Sequence, residues 1–331
     1  MTKQKWIKSL LSAITLSVLL LAPDAFSADK NTESSPMEVI VCNPLLQQLG
    51  MASTWDAAKA VGVKAMEISV KSEDLSCASF FVGQEKPYRL DSIENAKKLR
   101  KDAQANGIRI PVLCSRIQLD AQTTTAPELS KKLIEIAPHV GAGLIYFPIV
   151  TDSYTKTTID DDLFVKNSIA ILNDLVKHGE KYNVDIAIEN LSVYWNRPEV
   201  TRRVLKAFTP EQFNLCLDPT NLYWYGHPRS KIYDIVNEFM PRTKHFHAKN
   251  VAHPPEKIDT VRPVGWEYGK NSVPVAKGDI NFKTIIPQLY KSGYRGYVSI
   301  EDDSLGHYPQ EQRASILRQD VRYLQGIIKQ L

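Results

Sequence analysis

Val184-Asp185-Ile186-Ala187-Ile188-Glu189 and Phe213-Asn214-Leu215-Cys216-Leu217-Asp218 decide the fold. Each is a short apolar run that ends on a carboxylate. Thr243-Lys244-His245-Phe246-His247 and Tyr297-Val298-Ser299-Ile300-Glu301 repeat the pattern with a histidine and a third carboxylate. Glu189, Asp218 and His247 are spaced 29 and 29 residues apart, and Glu301 follows after 54. A strand, a helix and their loops take about 30 residues, so consecutive parallel strands bring all four side chains to one end of a sheet. Two Glu, one Asp and one His suit a hard or borderline divalent cation, with Mn²⁺, Co²⁺ and Mg²⁺ ahead of Zn²⁺. Any one of them alone reads equally well as a solvated strand-end group. Four in consistent register do not.

Working outward, four earlier strand-like runs fall at 38–42, 64–70, 108–114 and 143–150, which makes eight. Helical periodicity lies between them. Ile93, Ala96, Leu99 and Ala103 form one stripe within Ser92 to Ala105, and Leu129 to Ile136 is similar. Leu163 to Tyr182 groups Ile169, Leu172, Leu175 and Val176, and Pro198 opens a helix through Leu205 at a first-turn position. Phe282 to Lys291 and Gln310 to Ile328 complete the helical set. Strands alternating with helices predict a parallel sheet, and eight units predict a single-domain α/β fold, a (β/α)₈ TIM barrel over residues 37–331. A dinucleotide-binding sheet would need a Gly-rich turn after the first strand, where Cys42-Asn43-Pro44-Leu45 stands instead.

The amino-terminal residues read differently. Lys3, Lys5 and Lys8 precede an apolar stretch from Ser9 to Ala22, and Ala25-Phe26-Ser27 offers small residues at a cleavage site. That pattern predicts a signal peptide over 1–27, too short in its apolar part for a comfortable membrane span. A polar lead-in at 28–36 is expected to be flexible, and the mature protein to be periplasmic or secreted, with no membrane segment. Net charge would fall from +4 to +2, since Lys3, Lys5, Lys8 and Asp24 leave. The basic residues are scattered rather than clustered, which argues against a nucleic-acid partner. Cys42, Cys77, Cys114 and Cys216 show no CxxC spacing and are expected to be reduced thiols. A homo-oligomer stays open.

One connection stands out. Residues 250–277 include Pro254, Pro255, Pro263 and Pro274 with Arg262, Trp266 and Tyr268. Connections of this length are usually functional or disordered, and in a barrel this one emerges on the active-site face, so a lid or substrate-binding loop is expected ahead of simple decoration.

Ile-Ala-Ile-Glu189-Asn190, Leu-Cys-Leu-Asp218-Pro-Thr-Asn221, His245-Phe-His247-Ala-Lys249-Asn250, Lys277-Gly-Asp279-Ile-Asn-Phe282 and Gly296-Tyr-Val-Ser-Ile-Glu301 together resemble the xylose isomerase-like TIM-barrel superfamily, in its sugar (phosphate) isomerase/epimerase branch. The resemblance covers nearly all of the mature chain. It implies that Glu189, Asp218, His247 and Glu301 ligate the metal and that the two glutamates form an acid/base pair. Two positions depart from that branch. Asn221 stands where its ketose epimerases carry a His, and Lys249 and Asn250 stand near the place of an Arg. Both places touch substrate in the family, so the motifs do not choose a sugar.

Around this set, His245 shares strand parity with His247 and reads either as a site residue or as a packed core histidine. Lys249 is the better candidate for a substrate oxygen. Glu67 reads either as a site residue or, preferably, as a hydrogen-bonded carboxylate of the barrel wall, and Asp302 and Asp303 read as solvated. Trp195 and Trp224 offer aromatic faces to a sugar ring or simply pack. Arg262 and Trp266 are candidate substrate contacts from the long loop. The expected activity is isomerisation or epimerisation of a non-phosphorylated ketose or keto-glycoside, since sugar phosphates are scarce outside the cytoplasm. A dehydratase or deglycosylating lyase on a keto-sugar or inosose would use the same metal. A metal-dependent nuclease of the superfamily would need further histidines on the early strands, and no His precedes His139.

Overall fold

The computed structural model describes residues 37–331, so the expected signal peptide and lead-in lie outside the described residues. Eight parallel strands close into a barrel: β1 Glu38–Cys42, β2 Ala65–Val70, β3 Arg109–Ser115, β4 Leu144–Tyr146, β5 Asp185–Glu189, β6 Asn214–Leu217, β7 Thr243–Ala248 and β8 Tyr297–Ile300. Each pairs with its sequence neighbours, and β8 closes on β1 through Val39↔Val298 and Val41↔Ile300. Helices α1 Thr54–Val61, α2 Ile93–Ala105, α3 Glu128–Val140, α4 Asp161–Tyr182, α5 Pro198–Leu205, α6 Arg229–Phe239, α7 Phe282–Lys291 and α8 Gln310–Ile328 follow the strands in turn. The expected TIM barrel is the observed fold. No helix among the described residues is long and apolar enough to cross a membrane.

Alternation along the strands divides the residues into two sets. Met66, Ile68, Ile186, Ile188, Leu215, Leu217, Phe246, Val298 and Ile300 face the helices in one continuous core. Ile40, Ala65, Val112, Leu144, Tyr146, Ala187 and Cys216 fill the barrel interior. Local chemistry sets the helix ends. Ser92 and Asp160 cap α2 and α4 by accepting from backbone N–H groups, and Pro198 supplies the first residue of α5.

Some boundaries differ from expectation. The run 143–150 splits, because after Tyr146 the chain leaves the barrel, and Ile149–Val150 then pairs with Ile117–Gln118. Ile93 begins α2 on its exposed side rather than in the buried stripe. Helices α1 and α6 were not anticipated. The four cysteines are free, as expected.

The long connection after β7 is tied down. Asn250–Val251 pairs antiparallel with Ser272–Val273. The Asn250 amide donates to the carbonyls of Val275 and Ile280, while Asp279 accepts from the Tyr223 hydroxyl and the His253 backbone. At the far end, the Arg262 N–H bonds the Gly226 carbonyl at 3.0 Å. Gly226 has φ +111°, and a Cβ there would overlap the Arg262 carbonyl oxygen. Gly226→Ala is therefore expected to lower stability by about 1–3 kcal/mol, through left-handed backbone strain and collision. Urea unfolding monitored by circular dichroism checks this.

Candidate metal centre

Strand parity aims one row of side chains inward. Glu189 ends β5 two residues after Ala187, Asp218 follows Cys216 by two, and Glu301 follows Ser299 by two. On β7 the same parity selects His245 and His247, then Lys249 just beyond the strand. On β2 it selects Glu67 between Ala65 and Ser69. One ligand atom each from Glu189, Asp218, His247 and Glu301 lies within 4.8 Å of the others. His247 Nδ1 is 3.3 Å from Glu301 Oε2 and 3.6 Å from Glu189 Oε1. The four expected ligands converge.

Neighbouring backbone and amides hold this ring in place. Asp218 caps the short helix Pro219–Tyr225, its Oδ1 accepting from Thr220 N at 2.7 Å and Asn221 N at 3.2 Å. That fixes the carboxylate and turns Oδ2 inward. Asn190 locks the ends of β5 and β6 together, donating to the Asp218 carbonyl at 2.8 Å and accepting from Asp218 N at 2.7 Å. The Asn221 amide donates to Glu189 Oε1 at 2.9 Å. Lys249 Nζ sits between Asp218 Oδ2 at 2.9 Å and Glu301 Oε2 at 3.0 Å.

The electrostatics reflect burial and these contacts. Burial pushes the Asp218 carboxyl up to about 6, although Lys249 and His247 pull against it. Burial acts in the same sense on Glu301, but the His247 and Lys249 charges prevail and hold it down at about 2. Burial disfavours charge on His247, yet Cys216 and the carboxylates of Glu301 and Glu67 keep it well above its ordinary range. Lys249 is likewise held above its usual value, with Asp218 and Glu301 outweighing burial.

This site fits a divalent cation on its own chemistry. His247 is fully buried, and neither ring nitrogen makes a hydrogen bond of ordinary geometry within the described residues. A buried polar atom without such a bond calls for another partner. Three carboxylates and one imidazole form the oxygen-rich set that Mg²⁺, Mn²⁺, Co²⁺ or Zn²⁺ accepts.

Two adjoining hollows of about 310 Å³ each open over the ring and share Leu191, Lys249 and Asp303. Asn221 and Trp224 line one of them, where the sequence reading expects substrate contacts. Other expected contacts lie elsewhere. Trp195 is buried, its indole N–H on the Ile149 carbonyl at 2.9 Å and its ring against Phe164. His245 lies beneath the ring, bonded to Glu67. Arg262 directs its guanidinium at the carbonyls of Lys257, Thr260, Tyr223 and His227 over the Tyr223 ring. Trp266 packs on His253.

Sequence reasoning also missed groups that the fold supplies. Tyr154 and Tyr268 join one hollow, and Arg116 joins the other. Asp302 is buried and bonds Ser304 N, while Asp303 accepts from the Tyr268 hydroxyl at 2.7 Å, so neither is merely solvated. Only Tyr268, carried by the long loop, gave a prior signal. A larger hollow of about 640 Å³ between α7 and α8 contains no ring residue. Volume alone does not pick out the site.

The chain belongs to the xylose isomerase-like TIM barrel family, whose model matches residues 55–327. Solved structures share the fold. A protein named IolI with a bound zinc atom aligns with TM-score 0.63 at 14% identity, over 89% of this chain and 99% of its own. D-psicose 3-epimerase with D-tagatose from Clostridium cellulolyticum H10 gives TM-score 0.61 at 16% identity, over 88% and 99%. AsbF from Bacillus anthracis, a probable 3-DHS dehydratase, gives 0.56 at 13%, over 87% and 99%. No curated protein matches the sequence.

Two outcomes are expected of the ring. Asp218→Ala and His247→Ala should each lose most of a divalent ion that the wild type retains through dialysis, as read by elemental analysis. Protons compete with a cation at Asp218 and His247, so Mn²⁺ affinity should fall with pH. Below about 6, where Asp218 is mostly protonated, the loss should approach about tenfold per pH unit for each proton displaced. Titration calorimetry across pH 5 to 8 measures it.

Proposed function

We propose that this protein is an exported, divalent-metal-dependent isomerase or epimerase of a non-phosphorylated ketose or keto-glycoside. The observation that carries the reading is the placement of Glu189 and Glu301. They stand at the end of β5 and just past β8, on either flank of His247, at the floor of a hollow of monosaccharide scale. Their surroundings differ. Glu189 is steadied by the Asn221 amide, and Glu301 by the Lys249 ammonium.

A divalent cation at the ring would supply positive charge for the oxyanion that develops when a carbon beside a carbonyl loses its proton. In this reading one glutamate takes that proton and the other delivers one to the opposite face of the same carbon, which inverts the centre. Delivery to the neighbouring carbon is isomerisation. Asn221 and Lys249 orient the carboxylates and offer donors to substrate oxygens, and Trp224 and Tyr268 wall the hollow. The family supports an enzyme acting on a small carbohydrate-like molecule, and both epimerases and a dehydratase share the fold. Export rests on the sequence of residues 1–27.

A second reading is elimination from a keto-sugar or inosose. Lys249 favours it, since an ammonium 3.0 Å from Glu301 is placed to protonate a departing hydroxyl. Its raised pKa makes it a reluctant acid and keeps this reading second.

Turnover of a suitable keto-sugar in D₂O is expected to place deuterium on the carbon next to the carbonyl. Glu189→Gln and Glu301→Gln keep the shape but remove the base, and each should lose about 10²- to 10⁴-fold in turnover. Mass spectrometry of the product separates the two readings, because an epimerase returns an isomer and a lyase releases water or an aglycone. Full activity in both variants would sink the proton-transfer scheme.

A further inference from the structure

Glu67 has no place in the proton-transfer scheme, yet it is a fully buried carboxylate inside the barrel, directly behind the ring. Burying a carboxylate is costly unless donors surround it. Its Oε1 accepts from the Tyr146 hydroxyl at 2.8 Å. Its Oε2 is 2.7 Å from His245 Nε2 and 3.5 Å from His247 Nε2. Tyr146 stacks on His245 with ring centres 5.5 Å apart, and both meet His247 edge-on at 5.1 Å. The four side chains therefore brace one another directly.

His247 faces two ways across this arrangement. Nε2 looks back at Glu67, while Nδ1 looks forward at Glu189 and Glu301. To hold a cation, an imidazole must present a lone pair on one nitrogen and keep its proton on the other. A carboxylate behind Nε2 favours the proton there and leaves Nδ1 bare toward the ring. Without it, a proton on Nδ1 would gain from Glu301 and Glu189, and the cation's place would be closed. The separation of 3.5 Å exceeds an ordinary hydrogen bond, so what Glu67 supplies across it is charge and orientation.

We propose that Glu67 is a positioning residue, held by Tyr146 and His245, that fixes His247 as an Nδ1 ligand of the metal. This rests on the metal-centre reading, and the test keeps the two apart. Mn²⁺ affinity, read by electron paramagnetic resonance of the free ion, is expected to fall about 10- to 100-fold in Glu67→Gln. Tyr146→Phe keeps the Glu67 charge but frees its Oε1, so it should lose affinity in the same direction and by less than Glu67→Gln. Circular dichroism and melting temperature control for folding. Folded Glu67→Gln with wild-type Mn²⁺ affinity would overturn the positioning role alone, whereas a wild type that binds no Mn²⁺ would overturn the metal reading and this role with it.

A measurement on the unaltered chain covers the case in which Glu67→Gln does not fold. Long-range ¹H–¹⁵N spectra of the Zn²⁺-loaded wild type should show the His247 proton on Nε2. A proton on Nδ1, with zinc at Nε2, refutes the proposal regardless of any variant.

Discussion

Three carboxylates held within 4.8 Å of one another repel, and the barrel has to be built so that this repulsion is met. At an effective dielectric near 20, each pair costs on the order of 3 kcal/mol. The fold answers with donors from different elements. Lys249 reaches Asp218 and Glu301, the start of the helix Pro219–Tyr225 holds Asp218, and Asn221 holds Glu189. None of these partners is local to the carboxylate it serves except the Asp218 cap. The parallel barrel is what brings them together, because it sends the ends of β5, β6, β7 and β8 to one rim. The charge that Lys249 cannot cancel alone is the room left for a cation.

What the sequence made legible was whatever depends on period. Alternation along each strand and spacing between strands suffice to place Glu189, Asp218, His247 and Glu301 on one rim. Contacts across the barrel have no such signature. Glu67 and His245 are 178 residues apart and meet at 2.7 Å, and nothing in either neighbourhood announces the other. Arg262 and Trp195 misled for a related reason. A lone Arg in a long loop and a Trp after a ligand strand look the same whether they face substrate or backbone, and only packing tells them apart. Helix α6 went unread because Ile232, Ile235, Val236 and Phe239 lie amid charged residues. Helix α1 has a short, alanine-rich buried face.

Under the proposed function, chemistry and selectivity would sit on different parts of the molecule. The ring is fixed by strands, whereas Leu191, Trp224, Tyr268 and Asp303, which wall the hollow, belong to the segments beyond the strand ends. Tyr268 belongs to the long connection, which Arg262, Asn250 and Asp279 clamp to the barrel body. So Arg262 ties the loop that carries Tyr268 to the segment after β6, with its guanidinium spent on backbone carbonyls. This division suits a fold in which one rim of strand ends serves many substrates through variation in the loops around it.

Charge counting then bears on what enters. The ring carries three negative charges, Lys249 returns one, and a divalent cation would return two, leaving the ring itself close to neutral, with Asp303 adding a negative charge at the wall of the hollow. A neutral sugar could enter without upsetting that balance. A phosphate dianion would find the ring's cations already engaged. Arg116 at the edge of the hollow is the exception, since it lies over the Tyr154 ring and makes no ion pair among the described residues. One exposed guanidinium could meet a single anionic group at the mouth, but it is not the backbone-lined cradle that phosphates usually require. The balance of charges therefore agrees with the unphosphorylated substrate proposed above.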